Sequence, residues 1–166
     1  MSHWNFYWYI TYISGVQLNF NPTILSNDWS QHFIGTYLDI LGQSNVPSIL
    51  SSCNKEKLLL GCRPVGSVSL TVAAMGNRSD VLYDCGTGQS CVHTSNDIGW
   101  YYSNSYSWGF AKGGDEVIRN GCDVGSTNGQ YRLCWHTVDW IGGYRCGSTL
   151  GLNYDSSWER VIYHSD

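Results

Sequence analysis

Cys134-Trp135-His136 places a thiol and an imidazole two residues apart. On a strand such residues project from one face, the arrangement of a thiolate nucleophile beside its base. That chemistry requires Cys134 to be free. Seven cysteines in 166 residues, at positions 53, 62, 85, 91, 122, 134 and 146, instead make a disulfide its expected fate. No Cys-x-x-Cys pair occurs, so zinc-knuckle and thioredoxin-type chemistry lacks its motif. Cys85 and Cys91 flank the flexible run Gly-Thr-Gly-Gln-Ser and are predicted to close a small loop, while Cys134 and Cys146 are predicted to tie a hairpin. Cys53, Cys62 and Cys122 cannot be matched from spacing, and the odd count leaves at least one thiol free, buried or joined to another chain.

Glycoside hydrolysis would need two carboxylates facing each other across a cleft. Asp80, Asp84, Asp97, Asp115, Glu116, Asp123, Asp139, Asp155 and Glu159 supply many pairs, and no spacing selects one. Asp115-Glu116 and Asp123 sit in glycine-rich loops that could collect oxygen ligands for calcium, but EF-hand spacing is absent, and turn formation with arginine pairing accounts for them. His32 reads as a histidine packed or hydrogen-bonded on the flank of the expected helix, not a ligand. No catalytic residue, metal ligand or cofactor is assigned. Arg63, Arg78, Arg119, Arg132, Arg145 and Arg160 recur singly beside cysteines or aromatics, as structural forks do; Arg78, on a predicted turn, is the best candidate for a ligand contact.

Aromatic rings offer a different chemistry, because the apolar face of a pyranose stacks on Trp or Tyr while nearby amides and carboxylates take its hydroxyls. Asn104, Tyr106, Trp108, Trp140 and Tyr144 lie at or near predicted turns and form the candidate sugar-contact set. Most of the eight Trp and twelve Tyr must nevertheless be core or interface.

The elements that would hold these residues are strands. Charged residues are only 13% of the chain, Gly is abundant at 19, and turn motifs recur about every eight to twelve residues, the rhythm of a sandwich or barrel. Val68, Leu70, Val72 and Ala74 alternate with Ser69, Thr71 and Ala73 in a strand predicted to be half covered by a core. Gly76-Asn77 is predicted to turn into a following strand over 80–84. Ile98–Phe110 carries six aromatic rings without a charge, which predicts a buried strand pair whose bend, 104–108, is the only part left for contact. Trp29, Phe33, Ile34, Tyr37, Leu38 and Leu41 are spaced by threes and fours and predict a helix over about 28–41, capped by Asn27 or Asp28 and ended by Gly42. A short helical turn is expected after Pro47.

At the N-terminus Trp4, Phe6, Trp8 and Tyr12 share one side of an aromatic strand, with Tyr7 and Tyr9 on the other. Residues 1–20 therefore read as a possible assembly strand; a signal segment fits less well, without a basic start or a cleavage pattern. Residues 21–166 read as a single β domain. Asn77-Arg78-Ser79 is a glycosylation sequon on a predicted turn.

A net charge of -4 with no basic run argues against nucleic acid or anionic membrane as a partner, and no stretch is long enough to span a bilayer. The expected molecule is a disulfide-stabilised antiparallel β-sandwich or jelly-roll with one packed helix, secreted or displayed outside the cell. Its expected function is non-catalytic glycan binding or adhesion. The alternative is a structural subunit that assembles with copies of itself into an extracellular filament, sheath or matrix.

Overall fold

Alternation with a period of two governs the core strands and decides the architecture. Residues 9–166, which the computed structural model describes, form strands β1 (Gln17–Phe20), β2 (Ser30–Thr36), β3 (Lys57–Pro64), β4 (Leu70–Asn77), β5 (His93–Ser95), β6 (Ile98–Tyr102), β7 (Ser107–Lys112), β8 (Leu133–His136), β9 (Gly143–Cys146) and β10 (Trp158–Ser165). They pair antiparallel in two five-stranded sheets, ordered β1-β4-β3-β10-β2 and β5-β6-β7-β8-β9. Leu58, Leu60, Val72 and Ile162 of the first sheet meet Trp100, Trp108, Phe110 and Trp135 of the second in the main core. Trp100 against Phe110 and Trp108 against Trp135 pack edge to face, each pair with centroids 5.6 Å apart. Such geometry adds about 0.5–1.5 kcal/mol per pair beyond area burial. The mainly β, disulfide-stabilised sandwich expected from the sequence is thus the fold.

Both outer faces are covered too. Ala73 and Met75 of β4, with Leu59 and Val161, bury against Phe20, Leu25 and Trp29, so this strand is covered on both sides, not one. Val68 lies before the strand and is exposed. Tyr101, Ala111, Val117 and Cys134 form a third cluster on the far face of the second sheet. Opposite Tyr101 in the register stands Gly109. A side chain there would collide with the Tyr101 ring and the Leu133 carbonyl, to which the Tyr101 hydroxyl donates at 2.8 Å.

The helix expected over 28–41 is not formed; that stretch contains β2, and helix α1 runs Gly42–Ser52. A spacing of four fits both periods, which is why Phe33 and Tyr37 suit either element. The register of β2 against β10 also slips between Ile162 and Tyr163, inserting His32 as an extra residue and hiding the alternation. In α1, Val46, Ile49, Leu50 and Cys53 recur at helical spacing and face the main core, with Pro47 inside the helix and not at its start. The strand expected over 80–84 is likewise replaced by a short helix, α2 (Arg78–Val81).

Three disulfides join the described chain: Cys62–Cys146, Cys85–Cys91 and Cys122–Cys134. The small loop is as expected. The Cys134–Cys146 pairing is not, because the register sets Cys134 against Arg145 and Leu133 against Cys146, so the two sulfurs leave opposite faces. Cys146 meets Cys62 between the sheets, and Cys134 meets Cys122 outside them. Cys53 is unbridged and buried. Trp4, Phe6 and Trp8 lie outside the described residues, whereas Tyr12 is exposed and Ile10 makes an isolated bridge to Leu25. No helix among the described residues is long and apolar enough to cross a membrane.

Candidate functional site

One end of the second sheet gathers loops from three connections. The β6–β7 bend (103–106) and the β8–β9 loop (137–142) are joined through Thr137, whose amide donates to the Tyr106 carbonyl at 3.1 Å and whose hydroxyl donates to the Ser103 carbonyl at 2.5 Å. Beyond β9 the chain doubles back along it, with Leu152 N–H donating to the Tyr144 carbonyl at 2.9 Å and Gly142 N–H to the Asn153 carbonyl at 3.2 Å. Residues 153–155 therefore arrive beside 139–142. Asp139 fixes this corner to α1 by accepting from the Gln43 amide at 2.7 Å.

Two large rings project from the corner. Trp140 is 68% exposed and Tyr154 is 62% exposed, and the Tyr154 hydroxyl donates to the Trp140 carbonyl at 3.4 Å. A shallow hollow of about 370 Å³ lies against Tyr154, lined also by Gly151, Asp155 and Ser156. Asp139 and Asn104 are exposed at this end of the molecule, and Asp155 is half-buried.

The other proposed sugar contacts are placed differently. Trp108 is fully buried between Tyr102 and Trp135, and its indole N–H donates to the Val81 carbonyl at 3.2 Å, so it has no face to offer a ligand. Tyr106 is half-buried over the Arg119 guanidinium, and its hydroxyl accepts from Gln89 at 2.8 Å. Tyr144 packs against the outer cluster of the second sheet. Tyr154 was not singled out by spacing; its place in the turn Asn153-Tyr-Asp-Ser-Ser157 is the signal that could have found it.

Beneath the corner, burial pushes the His136 pKa down to about 4, and the nearby Asn153 side chain opposes this only in part. Folded His136 thus stays neutral in the range where the unfolded chain, titrating near 6.5, takes up a proton. Its contribution to stability is full above about 6.5 and is lost as pH falls from there to about 4. Thermal unfolding measured across that window is expected to show a falling Tm, and His136→Gln is expected to flatten part of the slope.

Four further groupings bear on catalysis or ligand binding. Cys134 is bridged to Cys122, so no thiolate stands beside His136. Asp80 accepts from the Ser95 hydroxyl at 3.0 Å and lies 2.7 Å from His93 Nε2, while the Tyr83 ring stacks on the imidazole at 4.3 Å. A serine nucleophile needs the imidazole as its base, whereas here the carboxylate takes both partners, which pins α2 to β5. Asp123, a candidate calcium ligand, is fully buried and both its carboxylate oxygens are engaged by Arg132 Nη1 at 3.0 Å. Arg78 donates to the Leu50 carbonyl at 2.8 Å and to the Cys53 carbonyl, closing the end of α1. Its role is structural, and Asn77 beside it is exposed.

One cluster has the ligand types of a metal centre. Donor atoms of His32 on β2, Cys53 at the end of α1 and His164 on β10 all lie within 4.8 Å of one another. Burial raises the Cys53 thiol to about 11, with Arg78 opposing, and burial lowers His164 below the usual imidazole value. No family model, curated protein or solved structure matches the chain.

Proposed function

We propose that the chain is a non-catalytic glycan-binding module acting outside the cell, with Trp140 and Tyr154 as its sugar platform. The observation that carries this reading is a pair of rings, each more than 60% exposed, with the Tyr154 hydroxyl tied to the Trp140 carbonyl at a corner where Asp139 is exposed and Asp155 half-buried. Rings held in place lose little conformational freedom on binding, and adjacent carboxylates can accept from sugar hydroxyls. Three disulfides suit an oxidising compartment, and an exposed Asn77 suits a glycosylated surface. A self-assembling subunit comes second. An intermolecular disulfide would need a reachable thiol, and the one unbridged cysteine, Cys53, is buried.

A glycan array with purified protein tests the reading. Trp140→Ala and Tyr154→Ala are each expected to weaken the best hit by roughly tenfold, the scale of one lost stacking contact. Because both rings are exposed, Tm should hardly change. A silent array for the unmodified chain, or binding untouched by both substitutions, would sink the proposal.

A further inference from the structure

We propose that His32, Cys53 and His164 form a three-ligand site for Zn²⁺, with the fourth position open to solvent. The three residues come from parts of the chain with no sequence motif in common. An extra residue in β2 brings the His32 ring to 4.5 Å from that of His164, and the cap of α1 delivers the Cys53 sulfur to the same spot. Imidazole nitrogen and thiolate sulfur are both zinc ligand types, and tetrahedral bonds of about 2.0–2.3 Å put ligand atoms about 3.3–3.8 Å apart; two imidazoles and one thiolate are also a copper set, so the test below includes copper. A separation within 4.8 Å therefore needs only side-chain rotation to close around an ion.

A second observation points to a missing partner. His164 is 6% exposed, and its Nδ1 is buried with no hydrogen-bond partner. An orphaned ring nitrogen is unfavourable in a packed interior unless something completes it. Backbone carbonyls of β10 and its neighbours are consumed by sheet pairing, since His164 registers with Leu58 on one side and Ser30 on the other. A metal ion would satisfy the nitrogen. Cys53 is the one cysteine among the seven outside a bridge, so its sulfur is free to ligate. His32 is exposed and gives the ion a route in from solvent. The ion would join the edge strand β2, its neighbour β10 and α1 at one point.

The test uses the full chain with its disulfides intact. Calorimetric titration with Zn²⁺ is expected to give one ion per chain and to raise Tm. Co²⁺ in its place is expected to give a thiolate charge-transfer band in the near ultraviolet, lost in Cys53→Ser. His32→Gln alters an exposed side chain, so the fold should persist while zinc affinity falls at least tenfold, as it does when metal-site partners are removed. Absence of zinc binding to the unmodified chain would overturn the proposal. So would zinc affinity indifferent to both His32→Gln and Cys53→Ser, or a site that takes copper and leaves zinc unbound.

Discussion

Asp123→Ala is expected to lower stability by about 3–5 kcal/mol, the usual result of stripping one partner from a buried ion pair. Asp123 and Arg132 are both sealed from solvent, and one guanidinium nitrogen donates to both carboxylate oxygens at 3.0 Å. The same carboxylate accepts from the amides of Ile118 at 3.2 Å and Gly125 at 3.1 Å. Arg145, also buried, donates to the Asp123 carbonyl at 3.1 Å and to the Gly125 carbonyl at 2.7 Å. Alanine would leave a guanidinium that does not give up its proton in a dry site, together with two orphaned amides. For a chain of this size the loss corresponds to a fall in Tm of roughly 6–20 °C. Asp123→Asn keeps an acceptor without the charge and should fall between. Thermal or urea unfolding decides the matter, and a loss below about 1 kcal/mol for Asp123→Ala would mean that the pair does not hold these loops.

Removing the bridge between the sheets should cost as much. Cys62 lies on β3 and Cys146 on β9, 84 residues apart, so their bond closes about half of the chain into a loop. In the chain-entropy account such a closure is worth about 4–5 kcal/mol, against about 2 kcal/mol for a loop as short as that of Cys85–Cys91. The double variant Cys62→Ala/Cys146→Ala is therefore expected to melt well below Cys85→Ala/Cys91→Ala. Paired unfolding curves give the comparison directly, and the opposite order would show that local packing, not loop closure, sets the value of these bridges.

The sandwich was legible because turn motifs recur about every eight to twelve residues and apolar residues such as Trp100 and Tyr102, or Trp108 and Phe110, stand at alternate positions. The bridge at Cys85–Cys91 was legible because only a short flexible run separates the sulfurs. Cys134–Cys146 misled because nearness in sequence says nothing about which face a strand residue takes until the register is known. The residues 28–41 misled because one inserted residue at His32 disguises a strand, and the same insertion hid the cluster His32 enters. A set of donors drawn from positions 32, 53 and 164 has no spacing to read. Trp140 is exposed, as its turn suggests, and Trp108 was misplaced for a related reason. Both sit near turns, but only the fold shows that one ring points into the interface between sheets.

Burial of Cys53 also bears on how the bridges survive. A protein with three disulfides and one spare thiol carries its own catalyst for exchange, since a thiolate attacking a bridge sulfur reshuffles the pairing. With its pKa raised to about 11, Cys53 at neutral pH is ionised in only about one molecule in ten thousand. The sulfur that the chain leaves unpaired is thereby kept from scrambling the six that it pairs.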